Sequence, residues 1–517
     1  MKHMSLREKI GQLIYTGFPA AAVSEDFKRL VKEYKIGNVI LFAHNIESSE
    51  QLANMCQELQ SLFIEHTGHP GFISIDQEGG RVTRLPADAT NVPGAMAIAS
   101  TGRPENAYAA GRITARELRA LGVNFNLAPV LDVNNNKLNP VINVRSYGDT
   151  AEKVVQFGIP MMKGLQDGDV LSAIKHFPGH GDTSVDSHIG LPVIEKTIDE
   201  LEEIELKPFR EAIANGAECI MSAHILFPNI ESEKVPATMS RTIITDILKG
   251  KLGYEGLITT DCLEMHAIQK FYGTAEGALG ALKAGIHMLD ISHTASLVIE
   301  AVERIEAAVE SGELPVSVID EAVEKVLHYK GKYAYTEQPQ LSGVGTEAHR
   351  RANEAISLEG ICHLRGNLPS VKRGDGETLF VGSYAYRSDM AQSSVNTGVS
   401  FAAYMGEAFD AASRLIEIDP NEAEIAAVLE EAKSYTQIVV GLFNGRENGG
   451  QLRLVQALRE AGLNVTAVAL GRPYDLEQLD ADVCAIAAFE YTPLAFKSVS
   501  RLLSGDSKPF GKLSITL

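Results

Sequence analysis

An α/β fold is predicted, a (β/α)8 barrel of the TIM type followed by an α/β/α sandwich domain with a mostly parallel sheet. Three observations predict it. From residue 10 to about 330, eight short apolar runs alternate with longer amphipathic stretches rich in Ala, Leu, Glu and Lys. Five of the runs end in ionisable residues, at Asp76, Asp132, Lys175 with His176, His224 and Asp261, and in a barrel such ends all face one rim. A second, shorter strand and helix series follows an aperiodic stretch that begins at Tyr335. An open doubly wound sheet is the alternative for the first series, and eight alternations over roughly 300 residues favour closure.

In order along the chain, the runs Gln12–Phe18 and Gly37–Phe42 bracket a helical pattern over Ser24–Tyr34. Gly71–Asp76 and Asn124–Val133 bracket Glu105–Leu121, and Val170–Phe177 follows the helix expected over Ala151–Gln166. Glu218–Ile225 follows Ile198–Asn215, while Gly256–Asp261 and Ile286–Ile291 bracket Ala275–Ala284. Tyr335 to Gly345 reads as a linker, which divides a barrel domain over 1–334 from a sandwich domain over 346–517. The latter opens with a helix from about Thr346 to His363. Strands are expected at Thr378–Gly382, Arg414–Ile418, Gln437–Phe443, Asn464–Leu470 and Val483–Phe489, with helices such as Asn421–Lys433 and Gln451–Glu460 between them.

A chain of 517 residues exceeds what one core usually supports. Its net charge of −20, with no Lys/Arg cluster, argues against a nucleic-acid partner. Cys56, Cys219, Cys262, Cys362 and Cys484 are widely spaced and never form CxxC, so they read as reduced core thiols rather than disulfides or zinc ligands. The amino terminus meets charge before any apolar segment, and no run approaches the ~18 apolar residues of a membrane helix. A cytoplasmic location without a membrane partner is the expectation.

Lys175 to His188 packs three histidines and two glycines into a segment directly after an apolar run. Asp186 and His188 stand two apart, so on an irregular segment the carboxylate orients the imidazole for general acid and base work. A loop-stabilising hydrogen bond is the plainer reading of an isolated Asp-x-His, and the strand-end position outweighs it. His176, His180, Asp182, Asp186 and His188 also have the chemistry of metal ligands, but Pro178, Gly179 and Gly181 impose no ligand geometry. Asp261 closes its run as a nucleophile, a cation stabiliser or a helix N-cap, and Glu264 three residues on fits a capping box. Asp76-Gln77-Glu78-Gly79-Gly80-Arg81 is a second dense polar segment, suited to sugar hydroxyls or to pairing of Asp76 with Arg81 or Arg84. Arg145 carries the same two readings.

The Lys175-His176-Phe177-Pro178-Gly179-His180-Gly181-Asp182-Thr183 segment with Asp186-Ser187-His188, the Asp76 to Arg81 segment, Arg145-Ser146-Tyr147-Gly148 and Thr260-Asp261 closely resemble glycoside hydrolase family 3. More narrowly, they resemble its β-N-acetylglucosaminidase branch in the two-domain, peptidoglycan-recycling form. The resemblance spans the whole chain and ends in Phe510 to Leu517, which is similar to the family's carboxyl-terminal strand. The β-glucosidases of that family lack the Asp-Ser-His portion and take their acid/base glutamate from elsewhere. The resemblance implies that Asp261 is the nucleophile and His188 the acid/base, supported by Asp186. It implies that Asp76, Arg145, Lys175 and His176 hold a terminal N-acetylglucosamine, with no metal and no cofactor. A retaining exo-β-N-acetylglucosaminidase acting on muropeptides, with chitooligosaccharides next, is the activity implied. A phosphorylase and a catalytically silent sugar-binding protein are its rivals. A substrate-assisted route needs carboxylates aimed at the acetamide, and the adjacent pairs Asp199-Glu200 and Asp320-Glu321 fall in helical stretches.

Overall fold

The structure is a computed structural model that describes residues 4–188, 190–387, 392 and 398–517. Residues 1–3 of the expected barrel domain, and 388–391 and 393–397 of the expected sandwich domain, lie outside the described residues. Eight strands form the first sheet: β1 (Ile14–Thr16), β2 (Asn38–Leu41), β3 (Phe72–Ile75), β4 (Phe125–Asn126), β5 (Leu171–Phe177), β6 (Cys219–Ser222), β7 (Leu257–Thr260) and β8 (Leu289–Asp290). They pair in parallel in chain order, and the ring closes where β1 meets β8 and where Thr259 bridges Met288. Each of the eight runs supplies one strand, every residue of which is buried. Strands covered by helices outside and filled by side chains inside have no solvated face, so their sequences are continuously apolar.

Helices begin where short hydroxyl side chains stand ready. Ser24, Ser48, Thr150 and Thr197 each accept a backbone N–H of the following first turn. The pattern over Ile198–Asn215 resolves into two helices, Ile198–Glu203 and Leu206–Ala214. The run Asn124–Val133 is a strand for Phe125–Asn126 alone, because Pro129 removes a ladder donor soon after.

The second sheet has the order β11 (Ala412–Leu415), β10 (Thr378–Gly382), β12 (Gln437–Leu442), β13 (Asn464–Ala469), β14 (Cys484–Ala487) and β9 (Cys362–Arg365). Its five inner pairings are one antiparallel and four parallel. Two sequence expectations are corrected here. The helix expected to His363 stops at Gly360, and Cys362–Arg365 turns back as the antiparallel edge β9. Phe510 to Leu517 forms no strand; it lies as an irregular segment fixed by Lys512 N donating to Ser100 O (2.8 Å) and Thr516 N donating to Asp149 (2.6 Å). Edge position explains the first misreading, since an edge strand needs little of the apolar signature that marks an inner one.

Between 334 and 346 the chain holds only a short turn at Leu341–Gly343. The core beneath the second sheet is not confined to that sheet. It includes Met96, Ala97 and Val144, contributed by the loops above the barrel. Among the described residues, no helix is long and apolar enough to cross a membrane.

Candidate active site

A cavity of about 560 Å3 opens at the carboxyl ends of the barrel strands, and Asp76, Glu78, Lys175, His176, His188, Asp261 and Asp290 line it. Its size suits a small ligand. After β3 the chain turns sharply: the N–H groups of Glu78 and Gly79 both donate to Val82 O, with Gly79 at φ +105° and Gly80 at +57°. Glycine is needed where φ is positive and the backbone packs this closely.

That turn aims Glu78 inward. Arg145 donates to it twice, from Nε at 2.9 Å and Nη2 at 2.8 Å, and Lys175 Nζ lies 2.7 Å from Glu78 and 2.8 Å from Asp76. Burial alone pushes the Glu78 carboxyl up, but Arg145 and Lys175 outweigh it and hold the group ionised far below the usual range. The three residues singled out from sequence, Asp76, Arg145 and Lys175, are therefore brought together. Glu78, which joins them, had stood out only as part of a motif, because the partners of a carboxylate depend on which loops meet.

Asp132 plays the same part on the next strand. It accepts from the backbone N–H groups of His176 (3.2 Å) and His180 (2.7 Å), and its Oδ2 lies 2.6 Å from His176 Nδ1. A carboxylate only accepts, so His176 carries its proton on Nδ1. Three tight donors hold the loop at its root, where the peptides Lys175–His176 and Phe177–Pro178 are cis. His180 is pinned by Thr183 (2.8 Å) and Ser187 (3.1 Å), and burial pushes its imidazole down to about 4. Asn139 donates to the carbonyls of His180 and Gly181, at 2.8 and 2.9 Å, and accepts from Val141 N and Ile142 N. The loop is thus stapled to its neighbour.

At the loop's far end, Asp186 Oδ1 accepts the backbone N–H of His188 at 2.9 Å and faces His188 Nδ1 at 2.7 Å. Burial raises the Asp186 carboxyl, while the hydrogen bond and charge of His188 lower it further, so the net direction is down. With Asp186 ionised, Nδ1 of His188 is the donor and Nε2 is left as the atom that gains or loses a proton.

Asp261 follows β7 and, among the described residues, accepts one backbone N–H, that of Cys262 at 2.7 Å. Burial pushes its carboxyl up, but His176, His224 and His188 draw it down to about 2. The capping reading is overturned. The next helix, His266–Gln269, is preceded by Met265, and Glu264 instead accepts from His293 N (2.7 Å) and Thr294 N (2.9 Å) across the rim. His224 is buried between Thr238 (2.8 Å) and Cys262 O (2.9 Å), and burial lowers its imidazole. Asp290, absent from the sequence expectations, ends β8 on the same floor; burial and the charge of Asp261 hold its carboxyl well above the usual range.

The five residues of the metal reading are engaged elsewhere, His176 with Asp132, His180 with Thr183 and Ser187, Asp182 with Lys196, and Asp186 with His188. Among the described residues, no group of three His, Cys, Asp or Glu is placed to hold an ion.

Comparison with known proteins places these features in context. The model for the glycosyl hydrolase family 3 N terminal domain matches residues 5–329. Beta-hexosaminidase A of Pseudoalteromonas piscicida is 34% identical over 367 residues, which cover 66% of this chain and 61% of that protein's own length. A beta-hexosaminidase of Thiobacillus denitrificans is 32% identical over 54% of this chain and 78% of its own. A solved glycoside hydrolase family 3 beta-N-acetylglucosaminidase from Paenibacillus sp. str. FPU-7 superposes with a TM-score of 0.92 at 38% identity, covering 99% of both chains. A beta-glucoside phosphorylase superposes with a TM-score of 0.84 at 22% identity, a likeness of fold alone.

Proposed function

Because this chain belongs to glycosyl hydrolase family 3, we propose that it is a retaining exo-β-N-acetylglucosaminidase that releases terminal β-linked N-acetylglucosamine from muropeptides and related cell-wall fragments. The observation that carries the reading is one cavity lined by an ionised Asp261 and by His188 bonded to Asp186. Residues 1–334 form the catalytic domain and 346–517 a second domain.

In the first step Asp261 attacks the anomeric carbon as His188, protonated and oriented by Asp186, gives its Nε2 proton to the glycosidic oxygen. The bond to the leaving sugar breaks and a covalent glycosyl-enzyme forms through an oxocarbenium-like transition state. In the second, His188 takes a proton from water, which displaces Asp261 and restores the β configuration. A neutral imidazole adds no negative charge beside an anionic leaving sugar. Asp76, Arg145, Lys175 and His176 hold the sugar ring, with Glu78 and Asp132 keeping their donors in register.

A slow fluorosugar should leave a covalent adduct on the peptide bearing Asp261, read by mass spectrometry; an adduct elsewhere overturns the assignment. His188→Gly should slow hydrolysis of a disaccharide by ~10²- to 10⁴-fold and spare substrates with good leaving groups. Equal losses on both would remove His188 from the acid/base role. Hydrolysis of GlcNAc-MurNAc faster than chitobiose is the expected order of preference. The phosphorylase rival is disfavoured, since its support is a likeness of fold.

A further inference from the structure

A buried carboxyl group just beyond the second sheet's β14 enters the loops of the barrel. Glu490 follows β14, beyond Phe489 at φ +66°, and is buried. Its Oε2 accepts Gly94 N at 3.0 Å and its Oε1 accepts the Thr492 hydroxyl at 3.1 Å. A Cβ placed on Gly80 would lie 2.5 Å from Glu490 Oε2, and one on Gly94 would lie 3.5 Å away. The carboxyl tip therefore occupies the space that a side chain on Gly80 would fill and packs against Gly94. Gly80 belongs to the turn that begins at Glu78, and its N–H donates to Val92 O at 2.8 Å.

We infer that Glu490 is a positioning residue of the active site: seated between Gly80 and Gly94, it fixes the turn that presents Glu78 to Lys175 and Arg145. The second domain is then a working part of the site, although Glu490 touches no substrate. The inference rests on the functional reading above.

The environment gives the seat a pH dependence. Among the described residues, the two oxygens of Glu490 meet one amide and one hydroxyl and no cation. Glu78, Arg81, Arg145 and Tyr147 border the same narrow space from the barrel, and Tyr491 follows on its own loop. The Glu78 charge is already matched by Arg145 and Lys175. Burial pushes the Glu490 carboxyl up to about 7, against the two hydrogen bonds. A carboxyl raised in the folded state keeps a proton that the unfolded chain has lost, so its contribution is present at low pH and is lost as pH rises through about 7. Above that, an unpaired buried charge pushes against the seat.

The test is the pH dependence, from 5 to 9, of kcat and KM for a nitrophenyl N-acetylglucosaminide, with wild type, Glu490→Gln and Glu490→Ala, and thermal melting alongside. Glu490→Ala should raise KM about tenfold at pH 6 as the turn loses its seat. Glu490→Gln keeps shape and hydrogen bonds, and should restore KM while flattening the rise in KM that wild type shows above pH 7. A Glu490→Ala enzyme with wild-type KM, or a Glu490→Gln enzyme whose KM follows the wild-type pH curve, overturns the inference. If Glu490→Ala fails to fold, the Glu490→Gln curve decides. A wild type that turns over no N-acetylhexosaminide would strike the functional reading instead. The melting midpoint then decides: a fall between pH 5 and about 7 that levels off above it, in wild type and not in Glu490→Gln, keeps the seat, and parallel curves remove it.

Discussion

Asp261 and Asp290 end adjacent strands on one cavity floor, and their carboxyl groups are driven in opposite directions. Three histidines surround Asp261 and keep it ionised down to about 2, whereas among the described residues Asp290 has only the Ser292 hydroxyl at 2.8 Å to offset burial and the neighbouring charge. Two carboxyl groups driven apart in this way have different tasks. Asp290→Asn, which keeps the shape of a carboxyl that burial drives toward its neutral form, should keep kcat within about threefold, while Asp261→Asn should lower it at least about 10³-fold. Equal losses would make Asp290 a reacting group. The lowered Asp261 carboxyl also stabilises the fold above its unfolded value of roughly 4, and that contribution is lost as pH falls toward about 2. The melting difference between wild type and Asp261→Asn should therefore narrow over that interval.

The loop from Lys175 to His188 is an irregular segment, yet hydrogen bonds fix it at several points. Asp132, Asn139, Thr183 and Ser187 meet it at successive points. Gly181 packs so closely on the loop of the preceding strand that a Cβ there would overlap the carbonyl oxygen of Val133. Gly181→Ala has to displace one loop from the other, at about 2 to 3 kcal/mol. We expect a lower melting midpoint together with a loss of kcat near 10²-fold on the nitrophenyl substrate. Unchanged kinetics in a destabilised variant would show that the loop tolerates displacement. Much of this loop was legible from sequence, because a run of polar residues and glycines after an apolar strand has no use in a core. Its anchors were legible only in part: Asp132 stood out as an ionisable residue at a strand end, but its partners did not, and Asn139 is an ordinary loop residue until the fold sets it beside His180.

For the molecule as a whole, the barrel was legible because buried parallel strands write continuous apolar runs, and each of the eight runs contains a strand. The edges of the second sheet were not, since Cys362-His363-Leu364-Arg365 continues a helical pattern and carries only one buried residue. Contacts between the two sheets leave still less trace: Glu490, and Tyr474 accepting from Asn134 at 2.9 Å, are far from their partners in sequence. Met96, Ala97 and Val144 sit above the barrel but belong to the core of the second sheet. A chain ended at residue 334 would open that patch to water. Such a chain should aggregate at concentrations where the full chain stays monodisperse by light scattering, and Met96→Lys with Val144→Thr should relieve it; a monodisperse truncated chain would show the patch to be harmless. The order of events in any lineage that dispenses with the second sheet follows from this. Deletion cannot come first: the apolar patch has to be repainted with polar side chains while it is still covered, at some cost to the seam, before the gene can be shortened.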